Sequence, residues 1–190
     1  MLTALIWLAG LGAAFATAAG LLFNRLVRLR NLMQEAWSGV EVQLRRRHDL
    51  IPNLVRVVEA YAKHERAVLE AVTLARSEGM QAASQGEIEH AEKNLTARLV
   101  PLLGLIEAYP TLKADQTFLQ LQNDLVAVEN ELQMARRYFN GTVRDFNTAV
   151  ESFPSNVVAG VFRFEPGRFF EIESATERLT PNVRFETGQS

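Results

Sequence analysis

The chain contains no cysteine, which excludes disulfides, thiolate metal sites and cysteine nucleophiles. Histidine is scarce, with only His48, His64 and His90. His64-Glu65 is not followed by a second histidine at the spacing a zinc protease needs. No GxxxxGK[ST] run occurs, and Gly39, Gly79 and Gly86 stand alone, so no phosphate-cradling loop is predicted. Trp37-Ser38-Gly39 lacks the glycine two residues before the serine that a nucleophile elbow requires. The histidines read as solvated helix positions. The carboxylates read as solvated helix faces with basic neighbours, as Glu131 has in Arg136. The sequence therefore predicts no catalytic residue, no metal ligand, no cofactor and no enzymatic activity.

Charge is missing from one long stretch. Met1 to Phe23 carries no charged side chain, and Thr3 and Thr17 are its polar exceptions. As a helix this segment is ~34 Å long, enough to cross a ~30 Å hydrocarbon core. A lone span in lipid must pair its own backbone groups, which only a helix does. A cleaved secretory signal is the competing reading, with small residues around Ala14-Phe15-Ala16. The missing basic n-region favours a retained anchor. Arg25, Arg28 and Arg30 come directly after it and predict the cytoplasmic side of the membrane, leaving the amino terminus outside. Trp7 falls near the outer interface, where indoles concentrate. Gly12, Ala16 and Gly20 form one stripe. It is either a self-association face or a chance product of an alanine- and glycine-rich segment.

Beyond the anchor the chain is helical in pattern. Leu26, Leu29, Met33, Ala36, Val40 and Leu44 step by three and four, so the anchor is expected to run on into a bundle helix. Asp49 with Pro52 predicts a new helix start there, and a kinked continuous helix is the alternative. The second helix is expected to carry Ile51, Leu54, Val58, Tyr61, Val68, Val72 and Ala75 on one side. Ser84 with Glu87 has capping-box spacing and predicts the start of a third, which stops before Pro110. Phe118, Leu125, Leu132, Phe139, Phe146 and Phe153 recur every seven residues, with Leu121, Val128, Ala135, Thr142 and Ala149 between them. This predicts a fourth helix of roughly 38 residues in coiled-coil-like packing. Asn123, Asn130, Asn140 and Asn147 lie along it, where their amides can fix register. The tail holds Phe162, Phe164, Phe169, Phe170 and Phe185 and is too aromatic for a disordered linker. The expected fold is all-α, with a transmembrane anchor at 1–23, an antiparallel bundle of long helices at 24–156, and a Phe- and Pro-containing tail at 157–190 packed back on it.

Charge is uneven over this part. Residues 24–56 carry seven arginines against Glu35, Glu41 and Asp49, and residues 57–156 carry nine bases against fourteen acids. The densest cluster, Arg45-Arg46-Arg47, suits salt bridges between helices or a protein partner. Phosphate binding is the alternative, but aromatic interleaving is absent and nucleic acid is not expected.

Two motifs are more specific than ordinary bundle sequence. One runs from Leu29-Arg30-Asn31 through Ala36-Trp37-Ser38-Gly39 and Leu44-Arg45-Arg46-Arg47-His48-Asp49-Leu50-Ile51-Pro52-Asn53. The other includes Glu107-Ala108-Tyr109-Pro110-Thr111-Leu112-Lys113-Ala114, Ala135-Arg136-Arg137-Tyr138-Phe139-Asn140 and Phe153-Pro154-Ser155-Asn156. With the anchor, they resemble the LemA family of bacterial membrane proteins over nearly the whole chain. His48 and Phe139 stand where that family often has tyrosine. The resemblance implies one amino-terminal span and a bundle of long helices, and it supplies no catalytic residues. The expected function is a membrane-anchored helical scaffold that binds the bilayer through residues 1–23 and either partner proteins or copies of itself. A membrane-shaping or lipid-interacting protein is the alternative, with an enzyme whose site lies between subunits third.

Overall fold

The uncharged segment expected to be an anchor and the first bundle helix are a single element. In the computed structural model, which describes residues 1–171 (backbone alone at Ala4 and Ile106), α1 runs unbroken from Leu2 to Tyr61. Its length is about 90 Å at ~1.5 Å per residue. Leu26, Ala36, Val40, Leu44, Ile51, Leu54 and Val58 are all buried, so one apolar stripe faces the bundle from the anchor to the helix end.

The helix start expected at Asp49 is not there, and Pro52 lies inside α1. A proline in a helix deprives the carbonyl four residues back of its donor, here that of His48. Arg76 Nε donates to this carbonyl at 2.8 Å. The burial of Ile51, Leu54 and Val58 on either side holds the helix through the break. The single helix expected across Ile51 to Ala75 is consequently two. The chain turns after Tyr61, and α2 (Arg66–Gln81) runs back along α1, burying Leu69, Val72 and Ala75.

Residues 82–84 lead into α3 (Gln85–Ala108), which begins at the expected capping box. The Ser84 hydroxyl accepts from Glu87 N, and the Glu87 carboxylate accepts from Ser84 N at 2.9 Å and Ala83 N at 3.0 Å. These backbone donors hold the Glu87 carboxyl below its ordinary range. A short turn, α4 (Pro110–Lys113), closes the top of the bundle with Leu112 fully buried. The long helix, α5 (Gln116–Glu151), has 36 residues, and Asp115 caps it by accepting from Phe118 N at 2.8 Å. The Tyr61 hydroxyl donates to the same carboxylate at 2.7 Å, tying the end of α1 to the start of α5. The Phe118 amide, then the Tyr61 hydroxyl, lowers the Asp115 pKa; the bond to Asp115 raises that of Tyr61.

Helices α1 and α5 are antiparallel and share three stacked cores. The upper one joins Ile51, Leu54 and Val58 to Val72, Leu95, Leu99, Leu102 and Phe118. The middle one joins Ala36, Val40 and Leu44 to Leu132, Phe139 and Phe170. The lower one joins Leu26 to Phe146, Val150, Val158 and Ala159, with Ala19, Leu22 and Phe23 of the expected anchor packed against it. The heptad positions Phe118, Leu121, Val128, Leu132, Phe139, Thr142, Phe146 and Ala149 are buried. Phe153 lies past the helix end and is exposed.

The α2–α3 hairpin covers the upper half alone. Below it, α6 (Ser155–Phe162) packs across the end of α5 and against α1 around Ala19 to Leu29. Arg163, with φ 55°, then turns the chain upward. The tail climbs α5 as a strap, and two asparagines seven residues apart hold it. Asn147 exchanges hydrogen bonds with the main chain of Gly167, at 3.0 and 2.7 Å. Asn140 does the same with Phe170, at 3.1 and 2.9 Å. A Cβ at Gly167 would come within 2.5 Å of Met33 Sδ, so any larger residue there requires the Met33 side chain to shift. Gln85 Nε2 donates to the Phe169 carbonyl at 3.1 Å and joins the strap to α3. As far as residue 171 the tail packs back on the helices; the rest of the expected 157–190 tail, with Phe185, lies outside the described residues.

Candidate functional site

The apolar stripe of α1 is interrupted between Leu44 and Ile51 by Arg47 and His48, and both are buried. The matching interruption of α3 is Glu92, 1% exposed. Arg47 Nη1 lies 2.8 Å from Glu92 Oε2, and His48 Nε2 lies 2.6 Å from Glu92 Oε1. Arg47 Nη2 donates to the Thr96 hydroxyl at 2.9 Å. On α5, Glu129 approaches Arg47 Nε at 3.7 Å and Arg136 Nη1 at 3.8 Å. The Arg136 guanidinium stacks over the Phe170 ring, 5.4 Å from its centroid. Burial pushes Arg136 below its ordinary pKa, and the Glu129 carboxylate opposes this. Five charged or titratable side chains from three helices meet here, at the boundary between the upper and middle cores.

A cleft of about 240 Å³ opens over this network, lined by Glu41, Arg45, His48, Asp49, Gly79 and Glu92 among others. Gly79 of α2 forms part of its wall because a Cβ there would meet the His48 ring at 2.9 Å. Among the described residues, no hydroxyl or thiol side chain lines the cleft. Nor do any three His, Asp or Glu side chains among them gather as a metal site. Chemically, the arrangement suits holding α1, α3 and α5 in one register. An interior charge that must meet its counter-charge penalises any slip between helices.

The reading of His48 as solvated is corrected by its burial, while His64 and His90 are exposed. The triple-arginine run divides. Arg47 turns inward, whereas Arg45 and Arg46 face outward, Arg46 donating to Gln43 at 3.3 Å. Arg25 and Arg28 are exposed beside the lower core, and the Arg30 guanidinium lies 5.2 Å from the Phe164 ring centre. Gly12, Ala16 and Gly20 are exposed on α1 or nearly so, and a Cβ at either glycine meets nothing within 4 Å. Glu92, Thr96, Glu129 and Arg136 are absent from the site residues expected from sequence. Part of their signal is positional, since Arg47/His48 fill a gap in the α1 stripe and Arg136 lies beside the heptad seam at Ala135.

Among the described residues α1 holds one stretch long and apolar enough to cross a membrane, and that stretch is not buried. The sequence model of the LemA family matches residues 36–185. The chain belongs to the LemA family. Magnetosome protein MamQ 2 of Paramagnetospirillum magneticum is 23% identical over 198 residues, covering 90% of this chain and 73% of that protein. Magnetosome protein MamQ of Magnetospirillum gryphiswaldense is 24% identical with the same coverage. Protein LemA of Metamycoplasma hominis is 26% identical over 141 residues, 72% of this chain and 63% of its own length. The matched region of this LemA-family chain contains the whole buried network and both asparagine clamps. Membership and the apolar helix together describe a membrane-associated helical protein.

Proposed function

We propose that the protein is a non-enzymatic scaffold, anchored in the inner membrane by residues 1–23 with its amino terminus outside and its bundle in the cytoplasm. The observation that supports this most is the continuity of α1, which is both the membrane-crossing segment and the helix that runs the length of the bundle. A bundle built on such a helix stands at a set height from the bilayer instead of swinging on a linker. The buried network and the Tyr61–Asp115 tie reinforce that rigidity. Fourteen acids against nine bases over residues 57–156 favour a basic face on a partner of the bundle. Arg45 and Arg46 give the cleft side a local basic edge, and the Gly12–Ala16–Gly20 stripe is the proposed contact for self-association within the bilayer.

Mass measurement of the intact protein in mild detergent, with crosslinking in native membranes, tests the scaffold. A defined oligomer or one reproducible crosslinked partner is expected. A strict monomer that crosslinks to nothing specific overturns it.

A further inference from the structure

The short helix α6 presents an apolar face at the height where α1 leaves its uncharged run. From Phe153 to Phe162 there is no charged side chain. Ser155, Val158 and Ala159 turn inward, and Phe162 rests partly on Phe23 with ring centres 4.7 Å apart. The opposite side is bare, with Val157 54% and Val161 72% exposed four residues apart on one side of the helix. Phe153, in the turn just before α6, is 82% exposed. A helix facing water would carry charges there, as α5 does at the exposed Glu131, Arg137 and Arg144.

Its position narrows what can cover that face. The lower core into which α6 packs takes in Ala19, Leu22, Phe23 and Leu26 of α1, which straddle the end of the uncharged segment. Contact between the Phe162 and Phe23 rings makes the α6 face continuous with the surface of the anchor. Arg25 and Arg28 on α1 and Arg163 just after α6 are exposed flanking residues, alongside the exposed carboxylates Glu151 at the end of α5 and Glu165. An uncharged aromatic and aliphatic face beside a bilayer-crossing helix has the composition of an interfacial element.

We propose that α6 is a membrane foot, with Phe153, Val157, Val161 and Phe162 inserted at the headgroup–acyl boundary of the bilayer that α1 crosses. Arg25, Arg28 and Arg163 lie at the level of anionic headgroups. The foot gives the protein a second point of contact with lipid, at the end of α5, and two points set the tilt of the bundle where one leaves it free to pivot. This rests on residues 1–23 crossing the membrane.

Because the chain lacks cysteine, single-cysteine variants of the full-length protein can each carry one environment-sensitive fluorophore. Val161→Cys tests the foot, Leu11→Cys the anchor, and Val42→Cys, exposed on the upper part of α1, serves as the aqueous reference. The labelled proteins are reconstituted in phosphatidylglycerol-containing vesicles with or without spin-labelled lipid as quencher. The probe at V161C is expected to lose emission to spin-labelled lipid to an extent comparable with L11C, while V42C keeps its emission and is quenched by aqueous iodide. If L11C is quenched by lipid and V161C behaves like V42C, the foot is wrong and the anchor stands. If L11C is not quenched by lipid, the anchor fails and the foot with it. A V161C probe shielded from both quenchers reports a protein cover and overturns the lipid assignment.

Discussion

Glu92 is the residue on which the interior depends most. It is almost fully buried and supplies both carboxylate oxygens, one to Arg47 and one to His48. Glu92→Ala strands the buried Arg47 without its closest counter-charge, and truncating one side of a buried ion pair typically costs ~3–5 kcal/mol. Replacing both partners, as Arg47→Met with Glu92→Leu, removes the unpaired charge and is expected to recover most of that loss. Thermal unfolding in detergent checks this. If E92A unfolds like the parent, the network does not hold the helices in register. The same side chains explain why sequence alone misplaces His48. A histidine among three arginines and an aspartate looks solvated until Leu44 and Ile51 are seen on its own side of one unbroken helix.

The elements depend on a few polar contacts at their breaks and ends. Pro52 leaves the His48 carbonyl to Arg76, so Arg76→Met orphans a buried acceptor at ~1–3 kcal/mol. In a Pro52→Ala background the backbone amide returns to that carbonyl, and the same substitution is expected to cost well under half as much. A double-mutant cycle of chemical unfolding measures the difference, and additive losses would sink the assignment. Helix starts carry a pH dependence of defined sign. The carboxyls of Glu87 and Asp115 are lowered by the amides they cap. Their contribution is complete above the ordinary carboxylate range, about pH 4, and is lost as pH falls through their lower folded values. The Tm is expected to fall on acidification below about pH 4, and to fall less in Glu87→Gln with Asp115→Asn, which cap without titrating. An unchanged acid profile in that variant would assign the loss to other groups. The Ser84–Glu87 box was legible in the sequence because capping is local, whereas the Asp115 cap emerged only with the structure. The Pro52 repair was not legible, because Arg76 lies on another helix.

For the whole molecule, the anchor and the bundle overlap along α1. Residues 5–18 are exposed along their whole length, whereas Leu22 and Phe23 pack on the lower core and Leu26 lies fully inside it. Deleting residues 1–18 is therefore expected to leave the unfolding transition unchanged while releasing the protein from membranes. Deleting residues 1–27 removes Leu26 as well, a loss of ~2–5 kcal/mol for that side chain alone, and is expected to loosen α6. Circular dichroism melts of the two truncated proteins distinguish these outcomes. Equal melting would mean that the lower core is not part of the cooperative unit.

The period of the apolar residues, the uncharged amino terminus and the capping residues are local properties, and from them the sequence alone determined a helical chain with a membrane-length segment and a long heptad helix. The family resemblance rests on the same short-range patterns. Tertiary structure decided where polar groups could be satisfied inside. It let α1 pass through Pro52, buried Arg47 and His48 against Glu92, and laid the strap across Asn140 and Asn147. Each outcome depends on a partner many residues away, and a buried charge or an orphaned carbonyl is tolerated only when that partner arrives. The same holds for α6. Its uncharged sequence does not mark one side from the other, and packing beside Leu26 and Phe23 is what buries Val158 and Ala159 and leaves Val157 and Val161 exposed.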